Sequence, residues 1–341
     1  MNLLRFVLRR LGFAVFVLFS VLTLTFALSH LIPGNVLQAW LGKAAALYPN
    51  LAQAYAQKYH LNDPVIVQYF YYLAGMLQGN LGISPSRGFV PVSTVIVQTL
   101  PLTLQIVFFS FILCVVIGLV LGVLAARYHS TWVDKLIRIV YLGGYSSPPY
   151  FIGILILVLG SLYLRLLPTG QAYDPLLVTP PSAITGFPLF DSLLEGNFAF
   201  FENGFIHLIL PSLTLALVTF GVITRVTRSS LLEVMQTDYI RTARSKGLDE
   251  NSIFYRHALP NASVSLITVS SLVMTFLLTG SVFVEYLFNY PGMGQYAFYA
   301  LLGQDYPAIM ATVFVFAALI VTTNLVADLL YAYVDPEIRL G

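Results

Sequence analysis

The stretch LTLQIVFFSFILCVVIGLVLGVLAA, from Leu102 to Ala126, holds no charged residue and is long enough to cross a bilayer as one helix. A hydrocarbon core of about 30 Å needs about 20 helical residues, and there every backbone polar group must be satisfied within the segment. Reading outward finds five more such stretches, within Leu11–Ile32, Ile139–Leu164, Ile206–Thr224, Ser263–Val284 and Pro307–Ala327. The expected fold is an all-α integral membrane protein of six transmembrane helices, which puts both termini on one side. The composition agrees: 58% of the 341 residues are hydrophobic and 9% are charged, against roughly 45–50% and 25% in soluble domains. A net charge of +2 leaves no basic excess for neutralising phosphates, so nucleic acid is not expected as a partner. The single cysteine, Cys114, has no second thiol in the chain and reads as a packed small residue.

A seventh uncharged stretch, Pro175–Phe190, carries Pro175, Pro180, Pro181 and Pro188 and is read as an extracytoplasmic loop, because prolines remove helix donors that lipid cannot replace. The first span follows Arg5, Arg9 and Arg10 as a signal peptide would, and Ala27-Leu28-Ser29 is a passable cleavage site. Its apolar core exceeds the roughly 7–15 residues of a signal sequence, so a retained helix is expected. Placing both termini and the loops around Arg127–Arg138 and Arg225–Arg256 in the cytoplasm leaves only Lys43, Lys58, Arg87 and Arg165 of the 17 Lys and Arg outside. The chain then divides into an N-terminal helix (1–32), an extracytoplasmic segment with short helices (33–101) and a membrane core (102–341). In the second part Leu47–Tyr59 has helical spacing, and Asp63-Pro64 opens a helix through about Leu77. Tyr55, Tyr59, Tyr69, Tyr71 and Tyr72 read either as an interfacial belt or as a docking surface.

The loop over 237–260 is the most informative polar segment. Thr237 and Asp238 start a helix, Lys246 ends it, Gly247 is placed for a left-handed residue, and Asp249 caps a second helix through about Leu259. Tyr239 or Ile240 shares a face with Ala243 and Gly247, with Arg241 and Arg244 to the side, which reads as a small apolar docking face flanked by cations.

Arg241-Thr242-Ala243, then Gly247, then Leu259-Pro260 twelve residues on, resembles the EAA loop of ABC importer permeases. Arg241 stands where that consensus has Glu, and His257 where it has Ile, departures that are usual in the dipeptide and oligopeptide subfamily. Further stretches are similar to that subfamily: Leu61-Asn-Asp-Pro64, Gly79-Asn-Leu-Gly-Ile-Ser84, Leu100-Pro-Leu-Thr-Leu104, Ser147-Pro-Pro-Tyr-Phe-Ile-Gly153, Glu285 through Pro291-Gly-Met-Gly294, and Asn324, Asp328, Tyr331, Asp335-Pro336. Only Leu166–Phe205 matches it poorly.

The resemblance implies type I importer architecture in the plasma (inner) membrane: this chain, a second permease, two cytoplasmic ATPases and an extracytoplasmic substrate-binding protein. It implies that Tyr239, Ile240, Arg241, Thr242, Ala243, Arg244, Lys246, Gly247, Leu259 and Pro260 couple to an ATPase. It implies that Glu285, Pro291, Gly292, Met293 and Gly294 contact the binding protein, in a compartment shared by Asp191, Glu195, Glu202 and Asp305. No G-x-x-x-x-G-K-[ST] run occurs, so ATP and Mg are expected on the partner subunits, with no catalytic, cofactor or metal residue here. Peptides are the expected cargo; oligosaccharides, nickel or another small solute are the alternatives. A proton-coupled secondary transporter would explain Asp328, yet no repeat symmetry accompanies it.

Overall fold

The computed structural model describes residues 3–31, 44–58, 60 and 62–334. Ile32, Lys43, Tyr59, Leu61 and Asp335-Pro336, singled out above, lie outside the described residues, as do the side chains of Arg5, Tyr55, Lys58 and Tyr331.

The helices are α1 (Leu3–Leu31), α2 (Ala44–Leu47), α3 (Pro49–Lys58), α4 (Val65–Leu77), α5 (Val92–Arg127), α6 (Trp132–Ser146), α7 (Pro149–Leu157), α8 (Pro188–Glu195), α9 (Phe198–Val234), α10 (Asp238–Ser245), α11 (Glu250–Ser252), α12 (Leu259–Ala262), α13 (Val264–Leu287), α14 (Met293–Leu302) and α15 (Tyr306–Val334). Two π-helical stretches, Val158–Tyr163 and Ile253–Ala258, extend α7 and join α11 to α12. Among the described residues five helices are long and apolar enough to cross a membrane, and a sixth span results if the bent pair α6–α7 crosses as one. That pair corrects the sequence reading: Ile139–Leu164 is expected to cross as one helix, and the chain bends by 105° between its two halves. Pro148 forces Ser147 out of the α region, to ψ 139°, and the two prolines remove two consecutive backbone donors.

α5 and α9, with 36 and 37 residues, form the centre. At 1.5 Å per residue each is about 55 Å long, so both project beyond a hydrocarbon core of about 30 Å. Their close approach is set by Gly118 and Gly122, one turn apart: an added Cβ would stand 2.6 Å from Ile223 Cβ and 2.5 Å from Thr227 Cβ, respectively. Without a hydrophobic drive between helices in lipid, such small residues let backbones pack and gain dispersion energy. Around this seam Ile106, Phe200, Leu208, Phe220, Leu277 and Tyr290 are buried, while the apolar side chains of Phe13, Phe16, Leu24, Phe108 and Val116 are more than half exposed.

α1 lies antiparallel to α15. Arg10 pairs with Asp328 at 2.8 Å near one end, and Phe26 lines the same cavity as Pro307 and Met310 near the other. The carboxylate of Asp328 thus has an arginine as its partner. Ser271 of α13 lines the pocket that holds Arg10 and Asp328, which places this end on the side of the α10–α12 loop. At the opposite end the all-α expectation needs one amendment: β1 (Ile83–Ser84) and β2 (Val90–Pro91) form a short antiparallel ribbon. Asp305 fastens it, accepting from Ser84 Oγ at 2.5 Å and Ser86 Oγ at 2.7 Å, and from the amide of Ala308 at 3.2 Å in the first turn of α15. The segment before α9 is equally fixed, the Gln171 amide donating to the Phe288 carbonyl at 2.9 Å.

Candidate functional site

The loop between α9 and α13 closes on itself. Thr237 is extended at the start of α10, but its hydroxyl donates back to the Val234 carbonyl at 2.6 Å instead of capping. Asp238 in the first turn supplies the negative charge that the helix N-terminus favours. The other end is a Schellman turn. Gly247 has φ +79°, its amide donates to the Arg244 carbonyl at 2.9 Å, and the Leu248 amide donates to Ala243 at 3.4 Å. Asp249 then caps α11, accepting from the Ser252 amide at 3.0 Å. Across the turn Arg244 grips Glu250 with two nitrogens, at 2.7 and 3.3 Å, and this hydrogen-bonded pairing holds the Glu250 carboxyl below the usual carboxylate range.

The expected docking face is turned the other way. Ile240 is fully buried and Ala243 nearly so, packed with Ile253, Phe254, Ala258 and Ala262 against Ala126 of α5 and Leu231 of α9. An eight-residue helix has one apolar stripe, and the ends of its own chain's long helices cover it. The side left exposed is Tyr239, Arg241, Thr242, Ser245, Lys246 and Gly247, a polar face with two cationic side chains, of which Arg241 pairs with Asp238 at 3.1 Å, and Pro260 is exposed beside it. Leu259 is half-buried. Three tethers fix the loop: Asn261 donates to the Tyr239 hydroxyl at 3.0 Å, Ser230 and Ser265 bond at 2.7 Å, and Arg127 bonds Asn251 while its guanidinium lies 5.5 and 5.6 Å from the Phe254 and Tyr255 ring centres.

The second candidate region, Glu285 to Gly294, is an interior knot rather than an open loop. Glu285 and Met293 are fully buried, Gly292 and Gly294 are buried, and Pro291 alone of the five is exposed. Gly292 occupies the N-cap position of α14 and has no side chain with which to cap it. Other helices do so instead: Thr103 of α5 accepts from the Met293 amide at 2.8 Å, and Glu285 of α13 accepts from the Gln295 amide at 3.0 Å. A carboxylate over a helix N-terminus is favoured by both the orphan amides and the dipole. The glycines make room, since an added Cβ at Gly294 would stand 2.7 Å from Val282 Cα and 2.9 Å from Glu285 Oε2.

Of the acidic residues expected in that compartment, Asp191, Glu285 and Asp305 are buried and bonded within the protein, whereas Glu195 and Glu202 are exposed. Burial pushes the Asp191 carboxyl upward, but donors at Thr185 and Gly186, 2.5–3.1 Å away, outweigh it and hold the group below its usual range.

Two features escaped sequence reading. Asp134, fully buried at the start of α6, receives Nε and Nη2 of Arg228, each at 2.8 Å, tying the elbowed pair to α9. No local signal joins residues so far apart in sequence. Gly118 and Gly122, by contrast, formed a readable small-x-x-x-small pattern.

Comparison with known proteins matches residues 118–340 to the family described as "binding-protein-dependent transport system inner membrane component", and residues 3–107 to the corresponding N-terminal family. A probable D,D-dipeptide transport system permease protein of Escherichia coli (strain K12) is 40% identical over 96% of this chain and 95% of its own length. A dipeptide transport system permease protein of the same strain is 36% identical over 99% of both chains. An oligopeptide transport system permease protein of Bacillus subtilis (strain 168) is 35% identical over 98% of this chain and 99% of its own. These relatives are transport subunits and not enzymes. With matches that span nearly its whole length, the chain belongs to the family of inner membrane components of binding-protein-dependent transport systems.

Proposed function

We propose that this permease forms half of a peptide-conducting channel, pairs with a second permease, and is driven by two cytoplasmic ATPases that grip the exposed face of α10. The carrying observation is the α10–α11 turn: a rigid inner face fused to α5 and α9, and an outer polar face beside a left-handed glycine. ATP binding closes the ATPase pair and displaces α10. Because its inner face is packed on the long helices, the displacement passes to them as a rigid-body motion. Arg241, Thr242, Lys246 and Tyr239 are the groups presented to the ATPase. Ile240, Ala243 and Leu259 act from within by fixing the loop to the membrane core, and Pro260 begins the last turn before α13.

In this reading the α6–α7 pair counts as one span, giving six, and both termini and the Arg225–Arg256 loop face the cytoplasm. The antiparallel packing of α1 and α15 supports placing the termini together, and the lysine and arginine distribution supports the direction. The binding protein docks on the opposite side, over Pro291 and the surface that Glu285, Gly292, Met293 and Gly294 shape from beneath. Peptide is proposed as the cargo because the relatives are named for dipeptides, D,D-dipeptides and oligopeptides.

The test is Gly247→Val in the assembled transporter, read by membrane abundance, co-purification of the ATPases, and uptake with ATP hydrolysis in vesicles. Normal abundance with lost ATPase association or lost coupled uptake is expected; full uptake would remove α10 from the coupling role. For topology, single cysteines at Ser182 and Ser252 in a Cys114→Ser background are probed with an impermeant maleimide. Labelling of 182 alone in sealed cells is expected, and labelling of 252 alone would invert the orientation.

A further inference from the structure

α4 (Val65–Leu77) is arranged inside out for a helix bathed in water. It carries no charged residue, and Gln68 and Tyr69 turn their polar groups toward the protein. Gln68 is buried, donating to the Asp63 carbonyl at 2.8 Å and accepting from Nε2 of His30 at 3.0 Å. The Tyr69 hydroxyl donates to Thr23 Oγ1 at 2.6 Å, since the Thr23 proton is already given to the Phe19 carbonyl. Tyr71, to one side, stacks on His60 with ring centres 3.7 Å apart. The opposite stripe is Ile66, Phe70 and Leu77, spaced to share one helix face and 64%, 64% and 85% exposed.

The helix that α4 leans on is a membrane span, and the contacts fall inside that span. Thr23 and Phe26 of α1 stand 13 and 16 residues beyond Arg10, about 20 and 24 Å along the axis. With the Arg10–Asp328 pair at one edge of a hydrocarbon core of about 30 Å, both lie within the far leaflet. Phe26 meets the rings of Tyr69 and Tyr72 with centres 5.2 and 5.4 Å apart, so α4 shares that depth. Phe19, half exposed on α1, meets Tyr69 edge-on at 6.5 Å, and the bare stripe of α4 thereby continues the apolar surface of the span. The 13 residues of α4 extend only about 20 Å, too short to cross. Polar residues bracket the helix at both ends, Asp63 before it and Gln78 and Asn80 after it.

We propose that α4 is a half-embedded helix lying in the leaflet opposite the α10–α12 loop, with Ile66, Phe70 and Leu77 set among lipid acyl chains. Lipid is the occupant that fits this stripe, which offers no polar group to a protein partner and is level with the exposed apolar side chains of α1. A helix satisfies its own backbone donors and acceptors, so it lies in hydrocarbon without having to cross it. The proposal uses α1 as a span and does not depend on the cargo or on which way the transporter faces. So placed, α4 holds the β1–β2 ribbon that follows it at the bilayer surface.

The experiment measures what bathes the stripe. Ile66→Cys, Phe70→Cys and Leu77→Cys, each in a Cys114→Ser background, are spin-labelled in the full transporter in lipid nanodiscs. The access of oxygen, which concentrates in lipid, is compared with that of a water-soluble nickel chelate. Leu24→Cys on α1 and Ser182→Cys, both at exposed positions, are the lipid and water references. The oxygen-to-nickel ratio at the three α4 positions is expected to lie within about twofold of that at position 24 and at least about fivefold above that at position 182. A ratio nearer to that of position 182 would put the stripe in water, and loss of access to both probes would put it against protein, either the second permease or the binding protein. Either result overturns the proposal. The three positions are read separately, so a variant that fails to assemble leaves the other two to decide.

Discussion

The chain turns on glycine at two places on opposite sides of its bundle, and the physics differs. At Gly247 the backbone sits at φ +79° with no atom within 4 Å of where a Cβ would stand, so glycine is needed for conformation and space is free. At Gly292 the backbone is ordinary, φ −86°, yet a Cβ would collide with the Glu285 carboxylate and the Thr103 hydroxyl, so glycine is needed for space and conformation is free. The first arrangement leaves an outer face bare for a partner. The second buries a carboxyl group in order to lock three helices. A motif of glycines in a loop is thus no guide to exposure until the neighbours of each glycine are known.

Steric demand predicts the largest effect. Gly294→Val must displace the α13 backbone at Val282 as well as Glu285, an overpacking cost of about 3 kcal/mol or more. Membrane abundance and detergent melting temperature should both fall sharply, and a normal melting temperature would break the distinction drawn here. Next comes Glu285→Ala, which leaves the Gln295 amide buried without an acceptor, at about 1–3 kcal/mol. Glu285→Gln keeps an acceptor oxygen and should restore much of the loss. Equal damage from Gln and Ala would mean that the negative charge, and not the cap, is what the knot requires.

Conformational demand gives a smaller effect with a different signature. Gly247→Val should cost roughly 1–2 kcal/mol of local backbone energy, confined to a surface turn. Asparagine tolerates the left-handed region far better, so Gly247→Asn should recover most of the coupled uptake that valine loses. Should Asn and Val fail alike, the need at Gly247 is for close approach of the ATPase, and the two glycine sites become examples of one rule.

Much of this architecture was legible because it depends on local pattern. Charge-free runs mark the spans, and Lys246-Gly247 with Asp249 marks a helix end followed by a helix start. What sequence could not supply was which surface covers which stripe. Ile240 and Ala243 read as an outward apolar face because periodicity gives a stripe but not its neighbour, and the neighbour proves to be Ala126 and Leu231 of the same chain. Glu285 and Asp305 read as outer-loop acids for the same reason: their partners Thr103 and Ser84 are far away in sequence. The elbow after Ser147 follows from Pro148-Pro149, whereas its packing on α9 and α13 has no local signal in the sequence.

The smallest expected effect concerns the Arg244–Glu250 clasp across the Gly247 turn, with side chains 42% and 62% exposed. Pairs so open to solvent are worth at most about 1 kcal/mol, because water and salt screen them and two long side chains must be held still. Arg244 lowers the Glu250 carboxyl below its usual range, so the clasp contributes fully above the ordinary carboxylate value of about 4.3 and is lost as pH falls through the lowered one. At neutral pH, Glu250→Gln should therefore raise amide exchange over Gly247–Ser252 by no more than about fivefold, the equivalent of about 1 kcal/mol. High salt should do the same to the wild type, and the variant should be insensitive to salt. Lys246→Ala, which removes a charge that no clasp uses, should leave exchange in the turn unchanged. Uptake should be nearly normal in Glu250→Gln, since Gly247 and the Asp249 cap still define the turn. Abolished uptake with unaltered exchange would mean that Glu250 or Arg244 meets the ATPase directly, and that the cationic face of α10 extends across the turn into α11.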